Sequence, residues 1–444
     1  MALIKTQDVD ERLEHLYQLV ANEEDARSCR ELAPEACRWV PRNFFVYLMA
    51  HTLTNLGDAL SSPKTVLTWV MTAVGAPMAM ISLLVPIRES GSMLPQLALG
   101  GWVRSREMRK PIWLVGSALQ GASILACALA AFTLTGKTAG MVILGCVVAF
   151  SLARSLNSIV SKDVVGKTIP KGRRGRLGGW SAGVSGLLTL GVGLSLMVMG
   201  RQSRDAADYA LLLLAAGSMW FVAMLVFTFL QETPGETAGG KNGWRAAWRN
   251  LGLVISDRPF RLFVLTRALL LCSALTAPYY VVLARNNGTG TAAMLGVFML
   301  AGGLASSLSA PVWGTMADRS ARLVMIRAAI LTGALGIAAF AVTHLLPDLG
   351  RSFWLWPMFF FVLGVAHAGV RAGRKTYLLD LAGGVKRTDY VSVSNTLIAI
   401  VLLGMGAITG ALSFLPPEVI IAGLSVLGLG GALLAGRLPE VQGR

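Results

Sequence analysis

Ionisable side chains interrupt the apolar stretches of this chain at a few positions, and those positions define the chemistry open to it. His51, Asn55 and Asp58 share one stretch, and Arg88 and Glu89 fall in the next. Arg154 and Asn157 interrupt another, Arg267 a later one, and His367 with Arg371 a later one still. A charge in hydrocarbon is costly, so such groups face a polar interior and mark a pathway. Two kinds of work suit these residue types. A carboxyl in a low dielectric resists ionisation, and a nearby arginine opposes that effect. Asp58 and Glu89, with Arg88 beside them, are therefore the candidates for taking up and releasing a proton. Arg154 and Arg267, with His51, Asn55, Asn157 and His367, are the candidates for holding the anionic group of a small solute. Three arginines against two carboxylates leave this set net positive. The competing reading is static: an Arg88–Asp58 or Arg88–Glu89 pair that fixes helix packing, with Arg154 and Arg371 snorkelling to the interface. Neighbours on a helix point about 100° apart, so one of Arg88 and Glu89 faces the interior and the other an adjacent helix.

Elements that position such groups must cross a membrane. The chain has 444 residues, of which 54% are hydrophobic and 14% charged, against about 25% charged in a soluble domain. About 20 apolar residues cross a bilayer, and twelve stretches qualify: 43–63, 76–101, 111–133, 139–161, 178–199, 209–230, 260–284, 292–313, 323–344, 353–373, 390–413 and 417–436. The net charge of +16 is collected in short loops after the even-numbered stretches, as in Arg104, Arg106, Arg109 and Lys110, or Lys162, Lys167, Lys171 and Arg173. Loops on the other side hold few cations, Lys64 and Lys137 among them. That asymmetry places the basic loops and both termini in the cytoplasm and argues against nucleic acid as the partner. The first forty residues are polar and acidic and show no signal-peptide core. The five cysteines match neither a zinc spacing nor a disulfide framework, so Cys29 and Cys37 read as reduced thiols.

The chain also repeats itself at a fixed offset. Gly101 falls on Gly314, Arg106 on Arg319, Arg109 on Arg322, Lys162 on Lys375, Ser181 on Ser394 and Gly193 on Gly406. Two copies of one bundle in the same orientation are the layout of a rocking transporter. The expected organisation is a cytoplasmic segment 1–42, a six-helix bundle 43–232, a linker 233–257, a second six-helix bundle 258–437 and a tail 438–444. Residues 7–21, through Leu13, Leu16 and Leu19, and residues 242–256, through Trp244, Trp248 and Leu251, read as short amphipathic helices. Pro63 and Pro278 sit late in the first and seventh stretches and mark either a hinge or a span end.

Gly314, Asp318, Arg319 and Arg322 form a loop that resembles the signature of the major facilitator superfamily, a glycine followed four residues later by Asp-Arg. The first-half copy runs from Gly101 through Arg104, Arg106 and Arg109, with Ser105 at the aspartate position and Met108 at the usual glycine. Segments such as Pro86-Ile-Arg88-Glu89-Ser-Gly are similar to those of bacterial members of that superfamily. The resemblance implies an all-α membrane protein, twelve transmembrane helices in two pseudo-symmetric halves around a central cavity, and alternating access at the bacterial inner membrane. It also implies that the loop aspartate meets the start of a helix in the other half. Arg176 lies where Asp318 should land, and Asp389 where the arginine-rich copy should land. The signs invert together, so the expected cytoplasmic gate is Asp318 with Arg176, and Arg104 or Arg106 with Asp389.

The fifth stretch carries Gly186 and Gly193 but no proline between them, so the glycine-proline signature of family antiporters is missing. No nucleotide-binding loop and no hydrolase motif is present. The expected function is a secondary transporter, not an enzyme, that moves a small anionic organic solute with protons, as a monomer in the lipid bilayer and with no cofactor or metal. The alternatives are a multidrug/proton antiporter for lipophilic compounds and a non-transporting sensor or scaffold.

Overall fold

The computed structural model describes residues 13, 16–18, 34–200, 206–235, 237, 252–287, 290–382 and 387–442. Its longer helices are α1 (Val40–Leu60), α2 (Val66–Ala73), α3 (Met78–Met93), α4 (Gln96–Arg104), α5 (Lys110–Thr133), α6 (Gly136–Thr168) and α7 (Lys171–Met199). They continue with α8 (Ala206–Phe227), α9 (Arg258–Leu269), α10 (Ala277–Asn287), α11 (Ala292–Leu345), α12 (Leu355–Leu381), α13 (Arg387–Ala411) and α14 (Pro417–Ala435). Among the described residues, nine helical segments are long and apolar enough to cross a membrane. One of them, α11, has 54 residues and would be about 80 Å long if straight, far more than a hydrocarbon layer needs. It breaks at Ser320, whose φ of −159° and ψ of 100° are not helical. The Ser320 hydroxyl accepts a bond from the Leu323 amide at 3.2 Å, the N-cap geometry that starts a new helix.

The first and seventh predicted spans are each interrupted. α1 stops at Leu60, the chain turns through Pro63, and α2 resumes at Val66. α9 stops at Leu269, and α10 resumes just before Pro278. Proline lacks the amide that would continue the ladder, so Pro63 and Pro278 lie at internal breaks rather than at span ends. Two boundaries need correction for this reason: the first predicted span runs on to Ala73 and the seventh to Asn287. With the legs of α11 counted separately, and α1 with α2, α3 with α4 and α9 with α10 joined, the described helices overlap the predicted stretches one for one.

α5 packs on α6 and α8, α1 on α7 and α8, and α3 on α6. α11 packs on α12 and α14, and α9 on α13 and α14. The two sets meet where α3 crosses α13, where α7 crosses α11, and where α2 touches α10. The hydrophobic cores show which end is shut. Opposite the basic loops, one continuous core takes residues from both sets, from Leu56 and Trp69 to Tyr280, Phe298 and Ile421. Toward the basic loops the core splits in two. One part, around Phe44, Trp113 and Phe227, draws only on the first set; the other, around Phe263, Trp313 and Tyr377, only on the second. The molecule is sealed at one end and open at the end that carries the basic loops.

Close backbone approaches make the seal. The Ala293 amide donates to the Gly200 carbonyl at 3.0 Å, and Tyr279 donates to Ser82 Oγ at 2.8 Å. A Cβ on Gly406 would come within 2.6 Å of Pro86, and one on Gly296 would collide with the Gly193 carbonyl. Gly193 and Gly406 are repeat equivalents, one at each crossing between the sets. Gly179, Gly183, Gly186 and Gly404 face open space instead. Of the expected helix over residues 7–21, Tyr17 is buried edge-on to Phe44, Leu13 is half-buried and Leu16 is exposed; Leu19 lies outside the described residues. The expected linker helix lies outside the described residues apart from a single turn at Leu253–Ser256. Cys37 is disulfide-bonded rather than a reduced thiol.

Candidate functional site

Two recesses open between the helices on either side of the split. The first, of about 300 Å³, is lined by residues of α1, α5, α6 and α8, among them His51, Asn55, Asp58, Gln120, Arg154 and Lys162. The second, of about 550 Å³, is lined by Arg267, Trp313, Arg371, Arg374, Lys375 and Asn395 among others, from α9, α11, α12 and α13. The walls are repeat equivalents: Arg154, Ser158, Ser161 and Lys162 on α6 correspond to His367, Arg371, Arg374 and Lys375 on α12. The repeat has kept the face and changed the charge.

Asp58 is held by two guanidiniums. Arg88 from α3 donates to it at 2.7 Å, and Arg154 from α6 also donates to it directly. Arg88 further lies 4.1 Å above the Phe150 ring, a cation–π contact that fixes it against α6. Arg154 thus reaches from α6 to the level of Asp58. Glu89, next along α3, points elsewhere. Its carboxylate accepts no hydrogen bond among the described residues and faces Lys64, Arg88, Arg374 and Arg154.

Lys64 joins the two sets. Its Nζ lies 3.0 Å from His367 Nε2, and His367 Nδ1 lies 3.1 Å from Ser273 Oγ. The Ser273 hydroxyl donates to the Leu270 carbonyl, so its oxygen is left to accept from Nδ1–H, and Nε2 is left to accept from the lysine. The sequence places Lys64 in an outer loop, one residue beyond the first apolar stretch. It lies instead at the break between α1 and α2.

The remaining candidates divide between the recesses and the packing. His51 stacks on Tyr47 at 4.4 Å, and its Nε2 is buried without a partner among the described residues. Asn55 donates to Ser181 Oγ at 3.0 Å. Arg267 donates to Ser394 Oγ at 2.7 Å and to Asn395 Oδ1 at 2.9 Å. Ser181 and Ser394 are repeat equivalents, so both copies tie their first helix to their fifth with one hydroxyl. Asn157 is buried and bonded to Ser117 of α5 at 2.9 Å, at the edge of its recess. Arg371, Arg374 and Lys375, read from the sequence as interfacial or loop cations, belong to α12, which runs to Leu381. The spacing of His367, Arg371, Arg374 and Leu378 places them along one helix face, a signal present in the sequence but hidden by ending the span too early.

The expected gate residues lie at the open end. Arg104, Arg106, Arg176, Asp318 and Arg319 are exposed, with Gly101, Gly314 and Asp389 half-buried. Neither Asp318 with Arg176 nor Asp389 with Arg104 or Arg106 forms an ion pair in this conformation. Arg109 and Arg322 are corrected more sharply. Arg109 is buried, 3.7 Å from Asp163 of α6. Arg322 pairs with Glu440 at 3.4 Å and donates to the Leu438 carbonyl at 3.0 Å. Each braces its own set of helices.

The fold is shared with solved transporters. The xylose transporter XylE from E. coli in an inward-open conformation superposes with a TM-score of 0.66 at 11% identity, covering 90% of this chain and 97% of that one. A D-xylose-proton symporter gives 0.65 at 13% identity, over 90% and 99% of the two chains. The nucleoside transporter NupG gives 0.64 at 11% identity, over 88% and 98%. No curated protein matches the sequence. The Major Facilitator Superfamily profile matches residues 47–404, a stretch that contains both copies of the repeated loop and every charge lining the two recesses. By that match, and by a fold of apolar helices open at one end, the chain belongs to the Major Facilitator Superfamily and is a multi-pass membrane transporter rather than an enzyme.

Proposed function

We propose that the protein is a secondary active transporter of the bacterial inner membrane that moves a small anionic organic solute by alternating access, coupled to protons. Cations dominating the two recesses carry the substrate reading. A lipophilic-cation exporter needs a carboxylate in an apolar cavity, whereas Asp58 is taken up by Arg88 and Arg154 and Glu89 faces four cations.

The division between Asp58 and Glu89 supports the coupling reading. Asp58 and both its arginines lie in the first set of helices, so their contacts travel with that set. Glu89 faces Lys64 and Arg88 from its own set and Arg374 from the other. Rocking of the sets changes the distance between Glu89 and Arg374, so the cation that disfavours protonation of Glu89 acts more strongly in one conformation than in the other, and a proton is taken up in one and released in the other. Similarity of fold to a D-xylose-proton symporter is compatible with such coupling. The test is solute uptake into proteoliposomes under an imposed pH gradient. Glu89→Gln should abolish the response to the gradient while counterflow of labelled solute persists. Gradient-driven uptake by Glu89→Gln that matched the unmodified protein would remove the coupling role.

A further inference from the structure

We infer that the recess between α9, α11, α12 and α13 binds a multiply anionic group, so that the transported solute is a phosphate ester or a polycarboxylate rather than a monocarboxylate. This inference rests on the anionic-solute reading and narrows it. Four cations line the recess, Arg267, Arg371, Arg374 and Lys375, and among the described residues no acidic one lines it with them. Arg371, Arg374 and Lys375 make no hydrogen bond or ion pair with any described residue. They are not merely loop cations, because α12 carries them on consecutive turns below His367. Arg267 is anchored by Ser394 and Asn395, yet its Nε–H remains buried without a partner among the described residues. Planar guanidiniums present paired donors that match the oxygens of phosphate and carboxylate.

The opposite recess is different in kind. There Asp58 offsets Arg154, Lys162 is the one further cation, and His51, Asn55 and Gln120 supply neutral polar groups. Volumes of about 550 and 300 Å³ lie within or at the edge of the usual range for small-ligand sites. A solute with its charge at one end and hydroxyl or amide groups at the other is complementary to the pair. The anionic end sits on α12, and the neutral end faces α1 and α6.

The experiment is equilibrium binding by calorimetry to the full-length protein in nanodiscs of zwitterionic lipid. The probes are glycerol 3-phosphate, citrate, lactate, glycerol and a lipophilic cation. Tight binding of glycerol 3-phosphate or citrate is expected, weakened about tenfold or more in each of Arg371→Gln and Arg374→Gln, since each removes a charge-assisted bond. Neither side chain makes a hydrogen bond or ion pair with a described residue, although Arg374 faces Glu89, so these variants should fold, and a thermal midpoint near that of the unmodified protein verifies it. Lactate binding as tightly as the polyanions, and losing affinity in Arg154→Gln rather than in the α12 variants, would overturn this inference and leave the anionic-solute reading intact. Competition by phosphatidylglycerol added to the nanodiscs would place a lipid headgroup in the recess and likewise overturn it. Binding of glycerol or the lipophilic cation with none of the anions would overturn both.

Discussion

The contact between Lys64 and His367 ties the two sets of helices together in the conformation sealed opposite the basic loops, and its removal has a calculable effect. Lys64 sits at the break between α1 and α2, and His367 lies on α12. Rocking the sets apart at the sealed end must separate them. A hydrogen bond from a charged donor contributes about 1.5–3 kcal/mol net, and this one exists in a single conformation. Losing it should shift the balance toward the opposite conformation by about tenfold to a hundredfold. Both Lys64→Met and His367→Leu should move the population in that direction. The double variant should move it little further than either single one, because both act through one bond. Pulsed electron–electron resonance between spin labels at exposed Ser105 and Thr315, on the first and second sets at the open end, reads the two populations as two distances. The shorter distance, expected when the open end closes, should gain at the expense of the longer. An unchanged distribution in His367→Leu would refute the idea that this bond holds the seal. Additive effects of the two substitutions would refute the idea that they share it.

Three further perturbations test the architecture around that bond. Asp58→Asn should destabilise the protein by about 3 kcal/mol, the low end for breaking a buried ion pair, because Arg88 keeps its contact with Phe150; Arg154→Gln should cost less than about 1 kcal/mol, since 37% of the Arg154 side chain is exposed. Thermal midpoints in one detergent would check the order, and equal losses would contradict it. Glu232 is fully buried, pairs with Lys167 at 2.6 Å and accepts the amides of Arg109 and Lys110 at the start of α5. Glu232→Ala should therefore lower stability by about 3 kcal/mol without altering solute selectivity, and a stable variant with changed selectivity would be unexpected. Gly406→Val places a branched side chain where even a Cβ would meet Pro86 at 2.6 Å. Overpacking of about 1–3 kcal/mol should then favour the conformation in which α3 and α13 separate, which accessibility of a cysteine placed at Ser82 would report as faster labelling.

The fixed offset carried much of this architecture before any coordinates. It pairs Ser181 with Ser394, and each turns out to receive a bond from the first helix of its own set. It pairs Gly193 with Gly406, and each lies at a crossing between the sets. What the offset could not show was where a helix that breaks resumes. Pro63 removes a backbone donor, which is as consistent with an end as with an interruption; only the packing of Val66–Ala73 against α10 decides between them, and that contact lies far away in sequence. Lys64 was misplaced for this reason, and with it one half of the central latch. The cations of α12 were misplaced by the opposite error. Lys and Arg near a span end satisfy the orientation rule, so Arg371, Arg374 and Lys375 already had an explanation that required no site. Their common helical face was readable, but its meaning depends on an opposing wall without acids, which is a tertiary fact.

The gate illustrates how far a charge pattern reaches. The inverted signs of Arg176 and Asp389, matched by Ser105 and Asp318, state which ends attract one another, but not when they do so. In the present conformation these ends stand open to solvent, where an isolated pair contributes about 0–1 kcal/mol. The same groups become useful only when the two sets approach and water leaves, because attraction grows as the local dielectric falls. A gate of this kind is weak while open and strengthens as it closes, in opposition to the Lys64–His367 bond at the other end. Reversing one member therefore distinguishes a gate from solvated loop charges. Asp318→Arg should leave the open conformation and its stability almost unchanged while depleting the closed one, and the added substitution Arg176→Asp should restore it. Distances across the open end, measured in the His367→Leu background where the closed form is enriched, should lengthen in the single reversal and shorten again in the double. If the single reversal left that distribution as it was, the charges serve only to orient the chain in the membrane.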